Sequence, residues 1–309
     1  MADLTNVQQV VQDIYDIKIQ GATNIAKSAF QILIDELKRQ TFPTDASVLE
    51  FLFPAMEMLQ NARPTEPMMF NGMAYIKGMV ADQTSNTTTI KDIALQAAQQ
   101  YLDMISSTAT LAIEHGSHLL EYGNSVLTHC HSSSAIKTII ANRRDGKEIF
   151  VYNTETRPLY QGRKTSMDFL KAGMKVTMIV DSSAGFILDK NDPFGIDIDA
   201  VIIGCDAIKL NGDIINKVGS YSICRSAYEE KIPVYIAGNL LKVDAKDSIQ
   251  IETRNQKEVR EDAPEGLEII NFAFDQVPAK YITGIVTEFG IIKPEDVKTL
   301  VNKKYPWMK

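Results

Sequence analysis

A change of hydrophobic period near residue 120 constrains this chain more than any other feature. Up to that point apolar residues recur three and four apart, as on one face of a helix. Val10, Val11, Ile14, Ile17 and Ile19 form one such set, and Ile25, Ala29, Ile32, Leu33 and Leu37 line a second segment over 22–37. A third segment follows Thr44-Asp45, either of which suits a helix cap, and carries Val48, Phe51, Leu52 and Met56. Two more are predicted over 68–80 and 90–121. Asn61-Ala62-Arg63-Pro64-Thr65 reads as a break, because a residue before proline resists helical geometry.

Beyond residue 125 short apolar runs alternate with helical stretches. Strands are predicted over 125–128, 148–153, 175–180, 200–203, 234–237 and 284–286, and helices over 133–144, 167–172 and 220–230. Such alternation specifies a mainly parallel sheet with helices on both faces. The expected fold class is therefore α/β, with a helical domain over 1–121 and a sheet domain over 122–309.

In an open parallel sheet, ligands bind at the carboxyl ends of the strands. Cys130 follows the run Ser125–Thr128, and Asp206 follows the run that ends in Ile203-Gly204-Cys205. A thiol and a carboxylate at two such ends point to proton-transfer chemistry. Thr128-His129-Cys130-His131-Ser132-Ser133-Ser134 reads either as a phosphate-binding turn at a helix start or as a Ser-capped helix with a buried cysteine. His129, Cys130 and His131 lack the spacing and carboxylates of a metal centre, so no metal is expected.

Glu155-Thr156-Arg157-Pro158 through Arg163 offers Arg157 and Gln161 to a phosphate or a sugar hydroxyl, or is a salt-bridged loop. Asp181-Ser182-Ser183 either binds polar ligand atoms or caps a helix. Asn211-Gly212-Asp213 is a tight turn, and Asn216-Lys217 precedes a helix start that suits an anion. Cys205 and Cys224 read as buried apolar residues and Trp307 as an anchor for the tail. Cys130, beside helix-start amides and basic residues, is expected to have a lowered thiol pKa.

Bulk properties narrow the class. The 309 residues suffice for a large core, and 45% apolar with 23% charged residues is ordinary for a globular protein. No apolar run reaches the roughly 20 residues that span a bilayer, and the start of the chain does not read as a signal peptide. Three cysteines fit a reducing compartment, so the expected location is cytoplasmic. A net charge of −7 argues against nucleic acid as a partner, and no membrane partner is expected. No Walker A, GxGxxG or GxSxG pattern is present, so no cofactor is expected.

Seven motifs in one order carry a family resemblance: Gln20-Gly21-Ala22, Arg63-Pro64-Thr65, Thr128-His129-Cys130, Glu155-Thr156-Arg157-Pro158 with Gln161-Gly162, Gly204-Cys205-Asp206, Asn211-Gly212-Asp213 and Asn216-Lys217-Val218-Gly219. From about residue 10 to 300 the chain resembles the superfamily of sugar-phosphate isomerases related to the α, β and δ subunits of translation initiation factor 2B. Within it, the likeness is to the archaeal-type ribose 1,5-bisphosphate isomerases. The resemblance implies a Rossmann-like second domain and an aldose–ketose conversion of ribose 1,5-bisphosphate to ribulose 1,5-bisphosphate in AMP and nucleoside degradation. By position, Cys130 and Asp206 match the catalytic pair. Gln20, Gly21, Ala22, Arg63, His131, Ser132, Arg157, Gln161, Asn216, Lys217 and, more loosely, Lys242 match substrate-binding positions.

The resemblance also implies a homo-oligomer, dimer or hexamer, and the route makes AMP a candidate activator, although no motif marks one. Two alternatives share the fold: methylthioribose 1-phosphate isomerase, and a non-enzymatic regulatory subunit, which typically lacks the Cys and Asp pair. Two departures bear on the substrate. Gln20 stands where the family has arginine, and Phe289 where the bisphosphate isomerases often have one.

Overall fold

The computed structural model describes residues 3–82, 89–121, 123–143, 148–191, 193–247, 249–251 and 253–308. It resolves into two compact units. The first comprises Met1–Ser107, Leu241–Lys246 and Leu300–Lys309, and the second Thr108–Leu240 and Asp247–Thr299.

The first unit is helical: α1 (Thr5–Tyr15), α2 (Ala22–Arg39), α3 (Asp45–Ala62), α4 (Pro67–Ala81) and most of α5 (Ile90–Gly116), whose last residues fall in the second unit. Local chemistry sets the boundaries. Thr44 caps α3 by accepting from the Ser47 N–H at 3.2 Å, while the Ser47 hydroxyl accepts from the Thr44 N–H. Pro67 occupies the first turn of α4, where its missing N–H costs nothing. Phe30, Leu33, Phe51, Leu59, Met68 and Tyr101 are fully buried, each stabilising by about 2–3 kcal/mol. Trp307 packs on Tyr75 and Tyr305 with ring centroids 5.2 and 4.9 Å apart, so the tail is docked as expected.

The second unit runs β1 (Ser125–Thr128), α6 (Ser133–Ala141), β2 (Phe150–Thr154), α7 (Gln161–Lys171), β3 (Lys175–Ile179), α8 (Ala184–Leu188), β4 (Ala200–Gly204), β5 (Ala207–Lys209), β6 (Ile214–Lys217), α9 (Ser220–Glu229) and β7 (Val234–Ala237). The two-residue β8 (Val243–Asp244) belongs to the first unit; β9 (Phe274–Val277), β10 (Gly284–Thr287) and β11 (Gly290–Ile292) return to the second. The main sheet has the order β11-β10-β7-β4-β1-β2-β3, parallel except at β10–β11. Every residue of its central strand β4 is buried. From β1 the chain proceeds to β2 and β3 on one side, then crosses to place β4 on the other. The order thus reverses between β1 and β4, and their carboxyl ends flank a topological switch point.

The strands β1 and β7 form where the apolar runs predict them, and β2, β3, β4 and β10 shift by at most two residues. Three helix expectations are corrected. The helix expected over 167–172 begins at Gln161, and α5 ends at Gly116 rather than 121. The helix expected over 133–144 ends at Ala141, and residue 144 lies outside the described residues. An antiparallel ladder, in which β6 pairs with both β5 and β9, is a further element that periodicity did not reveal. Among the described residues no helix is long and apolar enough to cross a membrane.

Candidate active site

Cys130 sits two residues past β1 in the left-handed region, φ +65°. That conformation costs a non-glycine residue on the order of 1–2 kcal/mol, so the surroundings must enforce it. Two hydroxyls hold the peptide groups on either side: Thr156 Oγ1 accepts the Cys130 N–H at 3.0 Å, and Thr165 Oγ1 donates to the Cys130 carbonyl at 2.7 Å. Ser132 then caps α6 by accepting from the Ala135 N–H. The turn lies against β4, because a Cβ on Gly204 would overlap the Ser132 hydroxyl.

Asp206 leaves β4 and enters the β5–β6 hairpin, whose turn is the expected Asn211-Gly212-Asp213 with Gly212 at φ +86°. The Asp206 N–H bonds to the Ile215 carbonyl at 2.9 Å, which fixes Asp206 beside the end of β6. Asn216 and Lys217 follow there. Asn216 donates to the Ser220 hydroxyl at 2.9 Å, and the Lys217 ammonium lies 4.9 Å from the centre of the Phe274 ring.

Three charges converge electrically on the Cys130 thiol: the Lys217 ammonium favours its ionisation, and the carboxylates of Asp206 and Asp181 oppose it. Burial dominates and pushes the thiol up to about 11. The expected lowering is therefore wrong in direction. Cys130 is a protonated acid at neutral pH, because one ammonium and a backbone hydrogen bond do not offset desolvation. Cys205 and Cys224 are buried as expected, and burial drives Cys224 to about 12.

The helix starts differ from a simple anion site. The Asp275 carboxylate takes the N–H groups of Gly219 at 2.6 Å and Tyr221 at 3.0 Å, so the start of α9 is already supplied with negative charge. Asp181 acts similarly on the loop after β2, accepting from the N–H groups of Thr156 and Arg157 at 2.8 and 2.6 Å. Arg157 turns outward, donating to the Val259 carbonyl at 2.8 Å and to the Tyr160 hydroxyl. Gln161 opens α7, and its Oε1 is buried with no hydrogen-bond partner among the described residues. His131 Nδ1 meets Thr165 Oγ1 at 3.1 Å; its ring is held below the usual imidazole range by burial and by the Lys164 ammonium.

Gln20, Gly21, Ala22, Arg63 and Lys242 belong to the first unit. Gly21 takes φ +81° before α2, whose first residue is the buried Ala22. The Gln20 amide donates to the Ile17 carbonyl at 2.6 Å. Arg63 ends α3. Lys242 is buried on a segment pinned by Asn71, which donates to the carbonyls of Leu241 and Val243 at 2.8 and 2.9 Å. A cavity of about 430 Å³ lies at the opposite, amino end of β1 and β2, lined by Ser125, Phe150, Tyr152, Asp197 and Asp199. It faces away from Cys130 and holds none of the expected site residues.

Comparison with known proteins agrees with the fold. The model of the initiation factor 2 subunit family matches residues 18–294. The chain belongs to that family. Ribose 1,5-bisphosphate isomerase of Methanocaldococcus jannaschii is 30% identical over 315 residues, covering 100% of this chain and 98% of the relative. The 5-deoxyribose 1-phosphate isomerase of Moorella thermoacetica is 33% identical, over 93% of this chain and 86% of its own. The crystal structure of 5-methylthioribose 1-phosphate isomerase from Pyrococcus horikoshii superposes with a TM-score of 0.79 at 28% identity, over 96% of this chain and 86% of that one. This member of the initiation factor 2 subunit family is an enzyme, an isomerase of the aldose–ketose type.

Three residues of this family member escape the sequence reading: Thr154, Thr165 and Asp275. Each acts on backbone or side-chain groups at least 25 positions away, as with Thr165 on Cys130 and Asp275 on Gly219. The one local signal was available at Thr154-Glu155-Thr156, where hydroxyls cluster at a strand end.

Proposed function

We propose that the chain converts ribose 1,5-bisphosphate to ribulose 1,5-bisphosphate in nucleoside degradation, with Cys130 and Asp206 as the proton-handling pair. The observation that carries this reading is their position: each follows one of the two strands that flank the switch point, and their charges interact. In this substrate the anomeric hydroxyl is esterified, so the ring cannot open by losing that proton. Opening needs an acid at the ring oxygen, and a thiol that stays protonated at neutral pH is such a donor. Cys130 gives its proton to the ring oxygen as the bond from that oxygen to C1 breaks. Asp206 receives the proton released from the C2 side as hydrogen passes from C2 to C1, and the ketone forms at C2. No net oxidation occurs, because C2 loses what C1 gains.

Lys217 balances the two carboxylates beside the thiol and suits a phosphate oxygen. The orphaned Gln161 Oε1 suits a sugar hydroxyl, and His131, Ser132, Arg157 and Asn216 are the other polar groups of these loops. On motif alone, Gln20, Gly21, Ala22, Arg63 and Lys242 are further substrate-binding residues of this proposal. A homo-oligomer is part of it too. Edge strand β3 leaves Met178 exposed, next to exposed Val180, and both suit a second copy.

A second reading rests on Gln20, which is neutral and spends its amide on Ile17. It holds that the substrate is a pentose 1-phosphate without a 5-phosphate, such as methylthioribose 1-phosphate or 5-deoxyribose 1-phosphate. Purified protein assayed on all three sugars, beside Cys130→Ser, decides between them. Cys130-dependent ribulose 1,5-bisphosphate formation at the highest kcat/KM supports the first reading. Faster turnover of a 1-phosphate supports the second, and no turnover of any of them defeats both.

A further inference from the structure

Cys130 is held in its unusual backbone conformation by a row of three side chains that the proton chemistry above does not use. His129 is buried, and its ring bridges two loops: Nε2 lies 2.8 Å from the Val218 carbonyl and Nδ1 lies 2.6 Å from Thr154 Oγ1. Thr154 Oγ1 lies 3.1 Å from Thr156 Oγ1, which accepts the Cys130 N–H at 3.0 Å. Thr154 and Thr156 are both fully buried, so water does not compete for these bonds.

The direction of every proton in this row follows from what each group can do. A carbonyl only accepts, so His129 Nε2 carries a hydrogen and donates to Val218. In a neutral imidazole Nδ1 is then an acceptor, and the Thr154 hydroxyl must donate to it. With its only hydrogen used, Thr154 Oγ1 accepts from the Thr156 hydroxyl. Thr156 Oγ1, likewise spent as a donor, is left as the acceptor for the Cys130 amide. Each bond polarises the next in the same sense. At its far end the row is attached to the loop that follows Lys217, and the spacing there is tight: a Cβ on Gly219 would stand 3.0 Å from the His129 ring.

We propose that His129, Thr154 and Thr156 are positioning residues, a one-way hydrogen-bond relay that sets the Cys130 backbone and ties the thiol loop to the Lys217 loop. The relay deepens the isomerase reading and rests on it for its purpose, but its effect on the thiol is independent of substrate.

The test compares Thr156→Val, which keeps the shape and removes the hydroxyl, with Thr156→Ser, which restores it. Two readouts are taken: the rate of iodoacetamide alkylation at Cys130, followed by peptide mass, and kcat and KM on ribose 1,5-bisphosphate. The relay predicts that the valine variant changes the alkylation rate about fivefold or more and lowers kcat about tenfold with KM within about threefold, as for a group acting on the transition state through geometry. Serine is expected to bring both back within about twofold of the parent. Should Thr156→Val not fold, Thr154→Val removes the next acceptor in the row and carries the same expectation. Alkylation at the parent rate in a folded valine variant, or failure of serine to restore it, overturns the relay. If the valine variant alters alkylation while the parent turns over none of the sugar phosphates, the relay stands and the isomerase reading falls.

Discussion

Ser132 and Gly204 are in contact across the switch point, and the hydroxyl of one occupies the place where the other would carry a side chain. The turn bearing Cys130 is thereby pressed onto the strand that leads to Asp206. Gly204→Ala must push the start of α6 away from β4. The expected outcome is a loss of about 1–3 kcal/mol in urea unfolding together with a drop in kcat. Unchanged stability and turnover would mean that the two loops are not coupled by this contact.

The Cys130 thiol is held near 11, above an ordinary cysteine, by burial. Only the thiolate reacts with iodoacetamide, so alkylation at neutral pH is slow and rises about tenfold per pH unit until the thiol ionises. Peptide mapping between pH 7 and 11 checks this, and a midpoint below 9 contradicts it. The same shift acts on stability. The unfolded thiol ionises first as pH rises, so the group withdraws stability progressively from about pH 9 upward.

Burial lowers the pKa of His129, and the ring is neutral in the folded chain. In the unfolded chain it takes a proton as pH falls through its ordinary value near 6.5, so folding stability drops in that direction, by at most about 1.4 kcal/mol per pH unit. The urea midpoint of His129→Gln should decline less steeply than that of the parent between pH 7 and 5. Parallel curves for the two proteins would assign the acid sensitivity to other groups.

Gln20→Arg tests the choice of substrate. A charge-assisted bond to phosphate is roughly twice as strong as a neutral one, which corresponds to about a tenfold gain in kcat/KM on ribose 1,5-bisphosphate relative to methylthioribose 1-phosphate. Kinetics on both sugars provide the measurement. An equal gain on both would assign Gln20 to the 1-phosphate that the two sugars share, and no change on either removes it from phosphate recognition.

The apolar runs predict the parallel sheet well because buried strands such as β4 tolerate nothing polar, and β1 and β7 appear residue for residue. The antiparallel ladder was not legible for a different reason. Ala207–Lys209 is too short to show alternation, and its pairing with Ile214–Lys217 depends on the turn between them. The start of α7 was hidden because Gln161-Gly162-Arg163-Lys164 has no apolar side, yet Gly162 packs so closely on the Thr154 carbonyl that the helix begins there. Cys130 and Asp206 were legible as polar residues at apolar strand ends. Asp275 was not, since a carboxylate that caps a distant loop leaves no periodic trace, and Asp181 was legible only as a ligand contact or a helix cap, not as the acceptor for the loop after β2. The direction of the Cys130 shift required knowing how deeply the thiol is enclosed.

The β5–β6 hairpin works as a ruler. Asp206 stands at one end of its first strand and Lys217 at the end of its second, and the pairing of Ala207 with Ile215 sets where one falls against the other. Side chains alternate between faces along a strand, so a slip of one residue would exchange Asn216 and Lys217 and turn the ammonium away from the thiol it now influences. Length added at the Asn211–Asp213 turn is harmless if the register survives, whereas a single residue inserted within Ile214–Lys217 turns the cation away with every side chain still present. In this enzyme the spacing of these charges is stored in a strand register rather than in any one side chain.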